Sequence, residues 1–76
     1  MSLMTTYIID VSYSDGVTPM HSDFITGQPS ARQAAARWVG EMFSEKLADQ
    51  IEQIETDRFR FIHHETVITL TLSERS

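Results

Sequence analysis

The chain has 76 residues, 41% of them hydrophobic, a formal net charge of −5 and no cysteine. That length sets one domain with one small core, and the apolar content is too high for a disordered chain. Without cysteine there is no disulfide, no thiolate nucleophile and no zinc–thiolate centre, and an acidic chain whose six basic residues form no run is poorly matched to a nucleic-acid backbone.

No stretch reaches the roughly 20 apolar residues that cross a bilayer, and the N-terminus lacks the apolar core of a signal peptide. A cytoplasmic location is the expectation. Met1-Ser2-Leu3 ahead of a second methionine, Met4, reads as a vector-derived extension, so the expected single α+β domain covers 4–76.

From Thr5 to Tyr13 the residues alternate. Tyr7, Ile9, Val11 and Tyr13 share one side, and Thr6, Ile8, Asp10 and Ser12 the other, as in a half-buried strand. Asp15-Gly16 predicts a type I′ hairpin turn, since both residues tolerate positive φ. The return strand, 17–26, contains Pro19, which cannot donate to a ladder and so marks an edge strand or a strand end. Phe24 is expected on the core side with Ser22 and Met20, and His21, Asp23 and Ile25 on the other. Gly27-Gln28-Pro29 closes the strand.

Between Pro29 and Glu55 the period changes. Ala31, Ala34, Ala35, Trp38, Val39, Met42, Phe43, Leu47, Ile51 and Ile54 recur at steps of three or four, the spacing of an apolar helical stripe. Ser30 and Gln33 match a capping box at the start, and Pro29 disfavours helical geometry at Gln28. Gly40 costs about 1 kcal/mol in a helix interior, and a break near Ser44 is the alternative. The stripe keeps phase across Gly40, which predicts one continuous helix of roughly 24 residues, about 36 Å long.

Alternation returns over 57–62, with Phe59 and Phe61 opposite Arg58 and Arg60, and over 67–72, with Ile68, Leu70 and Leu72 against Thr69 and Thr71. The apolar positions are odd-numbered in the first run and even-numbered in the second. One regular strand cannot change parity, so a hairpin at His63-His64-Glu65 is predicted, although its usual turn residues are missing. Ser73 to Ser76 reads as a frayed tail.

The expected fold is therefore α+β, a small antiparallel sheet in β-β-α-β-β order with one long amphipathic helix packed on one face. Its core joins Tyr7, Ile9, Val11, Phe24, Phe59, Phe61, Ile68, Leu70 and Leu72 to the helical stripe. The far side of the sheet is left to Thr6, Asp10, Ser12, Arg58, Arg60, Thr69 and Thr71, with Ile8 and Ile62 as apolar exceptions, a face that water can cover.

Four features carry potential chemistry. His63-His64-Glu65 offers imidazole and carboxylate to a metal, but three or four converging protein ligands are needed and no spacing motif supplies them, so no metal or cofactor is expected. Arg58-Phe59-Arg60-Phe61 resembles a stacking surface for single-stranded nucleic acid only if its phenylalanines are exposed; plain alternation explains it as a strand. Glu41, Glu45, Asp49 and Glu52, four, four and three apart, line one face if the helix is continuous. On that helix Arg32, Arg37, Glu52 and Glu55 would all oppose the dipole, each at about 0.3–1 kcal/mol when exposed. The row is then a merely solvated face, pairs with Arg58 and Arg60, or meets a basic partner. Trp38 and Met42 are expected in the core.

No nucleophile elbow, phosphate loop or carboxylate pair is present, and a domain this small has little room for a ligand pocket beside its core. The leading expectation is a non-catalytic interaction or regulatory module whose partner is another protein or a second copy, self-association following from the poorly protected edge of the second strand. The alternatives are an acidic surface formed by Glu41, Glu45, Asp49 and Glu52 for a basic partner such as a nucleic-acid-binding protein, and weak nucleic-acid binding through Arg58 and Arg60.

Overall fold

A computed structural model describes residues 5–75. Five antiparallel strands form one sheet: β1 (Thr5–Tyr13), β2 (His21–Gln28), β3 (Glu52–Glu55), β4 (Arg58–His63) and β5 (Thr66–Arg75), in the order β2-β1-β5-β4-β3. Two helices, α1 (Ala31–Met42) and α2 (Glu45–Ala48), lie between β2 and β3 in the chain. The proposed extension Met1-Ser2-Leu3 lies outside the described residues.

The α+β class and the antiparallel sheet with a helix hold. The single long helix does not. α1 begins as its sequence indicates, with the Ser30 hydroxyl accepting from the Gln33 amide at 3.2 Å. It stops at Phe43, whose φ of −125° and ψ of −86° leave helical space. Ser44 then acts as a second N-cap, accepting from the Leu47 amide at 3.2 Å and opening the four-residue α2. A capping serine inside an apolar stripe competes with helix continuation by offering the backbone another partner.

The break also removes the apparent misfit with the helix dipole for Glu52 and Glu55, while Arg32 stays in the first turn of α1. Glu45 falls in the first turn of α2, a favourable end, while Glu52 and Glu55 belong to a strand. β3 is a short edge strand, exposed throughout, with a register shift between Gln53 and Glu55. Its brevity, irregularity and acidic residues protect that edge from further pairing. The element order is thus β-β-α-α-β-β-β.

Three further expectations change. The β1–β2 connection is a loop over 14–20 rather than a two-residue turn. Asp15 Oδ1 accepts from the Val17 and Thr18 amides, each at 2.9 Å, and only Gly16 (φ 74°) takes a positive φ there. The side-chain parity of β2 is reversed. Tyr7 pairs with Ile25, Ile9 with Asp23 and Val11 with His21, so these β2 residues face the helix while Phe24, opposite Ile8, is 57% exposed. Ile25 fills the core position assigned to Phe24. Finally, β5 runs through the supposed tail to Arg75, because β1 supplies a partner for each of Ser73, Glu74 and Arg75.

The remaining core is as expected: Tyr7, Ile9, Val11, Phe59, Phe61, Ile68, Leu70 and Leu72 are buried against Ala34, Ala35, Trp38, Val39 and Ile51. Two members of the stripe are not: Met42 is 57% and Ile54 44% exposed, the first at the end of α1 and the second in β3. The β4–β5 hairpin closes at His63 and Thr66, with His64 (φ 49°) and Glu65 (φ 67°) both left-handed, a type I′ turn without its preferred residues.

That turn is a store of backbone strain. The double substitution His64→Asn, Glu65→Gly should raise unfolding stability by about 1 kcal/mol, read as a higher urea midpoint at unchanged slope. Gly40 is helical, and an added Cβ would have only ordinary contacts at 3.9 Å with Ala48 and Glu45. Gly40→Ala should therefore stabilise by about 0.5–1 kcal/mol in the same assay.

Candidate functional site: the uncovered sheet face

α1 and α2 cover one side of the sheet and leave the other bare. The strand register arranges the bare side in cross-strand rows. Phe24, Ile8 and Ser73 form one row. Asp10, Thr71, Arg58 and Glu55 form the next, with Ser22 at its β2 end, and Thr69, Arg60 and Glu52 the one after. Val67 and Ile62 close the series. Two apolar islands therefore flank a polar centre. Phe24 with Ile8 is the first, and Ile62 (64% exposed) with Val67 the second.

The charges on this face are internally matched. Arg60 Nε lies 2.6 Å from Glu52 Oε1, and an Arg58 terminal nitrogen 3.0 Å from Glu55 Oε1. Ser22 donates its hydroxyl hydrogen to Asp10. The Arg75 guanidinium carbon sits 5.5 Å from the Phe24 ring centroid, within cation–π range. Arg58, Arg60 and Arg75 balance Asp10, Glu52 and Glu55, so the face is neutral and the net charge of −5 is carried by the rest of the molecule. A hollow of about 470 Å³, bordered by Gln50, Glu52, Arg60, Phe61, Ile62 and Val67, opens beside the second island.

On the covered side, a row of rings crosses the sheet at the C-terminal end of α1. Tyr13 Oη lies 2.8 Å from His21 Nε2. Trp38 stands between His21 and Phe43, with centroids 6.4 and 5.9 Å away, and Phe43 meets Phe61 and His63 edge-on at 5.2 and 5.1 Å. The Trp38 indole N–H donates to Asp23 Oδ2 at 2.9 Å and ties α1 to β2. That bond, with the Phe24 amide, holds the Asp23 carboxyl below its ordinary range against the opposing effect of partial burial.

The four acidic residues singled out in the sequence do not form one row. Glu41 is on α1, ion-paired with Arg37 at 2.9 Å; Glu45 opens α2; Asp49 caps its end; and Glu52 belongs to β3 and the bare sheet face. The pairing of Glu52 with Arg60 is the intradomain alternative to a basic partner. Phe59 and Phe61 are fully or almost fully buried, so they cannot stack on bases, and both neighbouring arginines have carboxylate partners. His63 packs on Phe43, and among the described residues no group of three or more histidines or carboxylates is placed to hold a metal ion. Trp38 is buried, whereas Met42 is exposed. Ile8 and Ile62 were legible as apolar exceptions, while Phe24 and Arg75 were missed. Their signal was parity: once Tyr7, Ile9 and Val11 face the core, the register of β2 decides the side of Phe24.

Among the described residues, no helix is long and apolar enough to cross a membrane. No protein-family model, no curated protein and no solved structure matches the chain.

A carboxylate with a depressed folded-state pKa contributes stability above the ordinary carboxylate range and loses it as pH falls through the depressed value. Trp38, the one tryptophan, should therefore report an acid transition in its fluorescence with a midpoint below that of an unperturbed aspartate. Asp23→Asn should abolish the transition and cost about 1 kcal/mol at neutral pH, a partly exposed charge-assisted bond being worth less than a buried one.

Proposed function

We propose that this chain is a small non-catalytic protein-interaction module that docks through its uncovered sheet face. The observation that carries the reading is the bare side of the sheet, where Phe24 and Ile62 are each more than half exposed on a surface without net charge. Isolated exposed apolar residues are ordinary on a soluble surface. Two islands on one flat face, with Arg58 and Arg60 between them ion-paired and Asp10 hydrogen-bonded to Ser22, are what a docking surface needs: apolar anchors and polar groups that keep partners when water leaves.

The acidic reading retains Glu41, Glu45 and Asp49 on the helical side, without Glu52. A nucleic-acid reading would require Arg58 and Arg60 to exchange their carboxylate partners for phosphates on a chain of net charge −5, and the sheet face is the stronger candidate.

Affinity capture from a lysate of the source cells separates these readings. Capture should be lost with the double variant Phe24→Glu, Ile62→Glu and retained with Glu41→Lys, Glu45→Lys, Asp49→Lys. The opposite pattern would transfer the function to the acidic side, and capture unaffected by either set would refute both.

A further inference from the structure

We infer that the occupant of this face is a second copy of the same chain, laid sheet against sheet about a two-fold axis. The inference rests on the docking role proposed above and names its partner. Its geometric basis is the placement of the two islands. Along β5, Ser73 lies beside Ile8 and Val67 beside Ile62. Six residues separate these positions, about 20 Å of strand. A two-fold axis in the plane of the face, midway between the islands, exchanges them. Phe24 of each copy then meets the hollow beside Ile62 and Val67 of the other, and the contact occurs twice, as an isologous interface requires.

The two ends are complementary in shape and charge. The first presents a projecting phenylalanine with Arg75 over its ring. The second presents a concavity of about 470 Å³ with the Glu52–Arg60 ion pair on its border. Seating Phe24 in the partner's hollow brings Arg75 toward the partner's acidic group, which extends the Glu52–Arg60 pair into a three-membered network. The rest of the molecule carries the net −5, so on average approach through it meets like charge, whereas the neutral sheet face does not. Five strands roughly 4.8 Å apart and up to ten residues long offer on the order of 600 Å², close to the ~800 Å² per partner of a stable interface.

The test is solution mass by sedimentation equilibrium over a range of protein concentrations. The unmodified chain should give twice its 8.7 kDa. Phe24→Glu and Ile62→Lys should each give the monomer mass, with far-UV circular dichroism unchanged. Mixed in equal amounts, the two variants should recover the dimer, since one contact then pairs Glu with Lys and the other retains Phe24 on Ile62. An unmodified chain that stays monomeric at its highest soluble concentration overturns the second-copy inference, and the docking role then stands or falls on the capture experiment alone. A dimer that persists in both single variants overturns the inference, because self-association then uses another surface, and the docking role again rests on the capture experiment. A mixture that remains monomeric overturns the proposed pairing of the islands.

Discussion

One short helical layer can cover one side of a five-stranded sheet and no more. α1 has twelve residues, α2 four, and together they roof the side on which Tyr7, Ile9, Val11, Phe59, Phe61, Ile68, Leu70 and Leu72 converge. β1, β4 and β5 must therefore alternate between a residue that fills the core and a residue that meets solvent. The threonines, serines and ion pairs of the far side follow from that constraint, and so does the significance of the places where it is broken by Ile8, Phe24 and Ile62. With a second helical layer those residues would be unexceptional core. On a bare face they are the features that need a physical account.

The tie between the two layers is similarly economical. Trp38 is buried between α1 and the sheet while its indole N–H is satisfied by Asp23, so a large aromatic side chain enters the core without leaving a polar atom unpaired. The same bond makes the parity of β2 tolerable. An aspartate turned toward the helix would be unfavourable without a donor, and the indole provides one. Phe24 is displaced to the far side by this arrangement, with Ile25 taking the inner position opposite Tyr7.

Those couplings mark the limit of what could be read from the chain. Period-two runs such as 5–13 and 57–62 revealed strands and their buried sides because each is long, regular and rich in β-branched or aromatic residues. The parity change across His63-His64-Glu65 revealed a hairpin even though the turn chemistry is poor. Where a local cap competed with a longer periodic pattern, periodicity misled. Ser44 ends the helical run, and Ile51 and Ile54 keep phase with a helix they do not belong to. Of the four charges opposing the dipole of one long helix, Glu52 and Glu55 belong to β3, while Arg32 and Arg37 remain on α1. The bare face was legible in outline, from Ile8 and Ile62. Its neutrality and its hollow depend on register between strands far apart in sequence, which no local pattern encodes.

The strand order has a consequence for how the molecule is made. β1 and β5, the earliest and latest strands of the described chain, are neighbours in the interior of the sheet, with Thr6 opposite Arg75. Such pairing has a large sequence separation, and loop closure must precede its reward. During synthesis β1 and β2 can meet as a hairpin, but the second flank of β1 stays open until the β5 residues from Ile68 onward are available to pair with it. Among the described strands the central pairing is thus the last to become possible, and until β5 is available one edge of β1 has no partner.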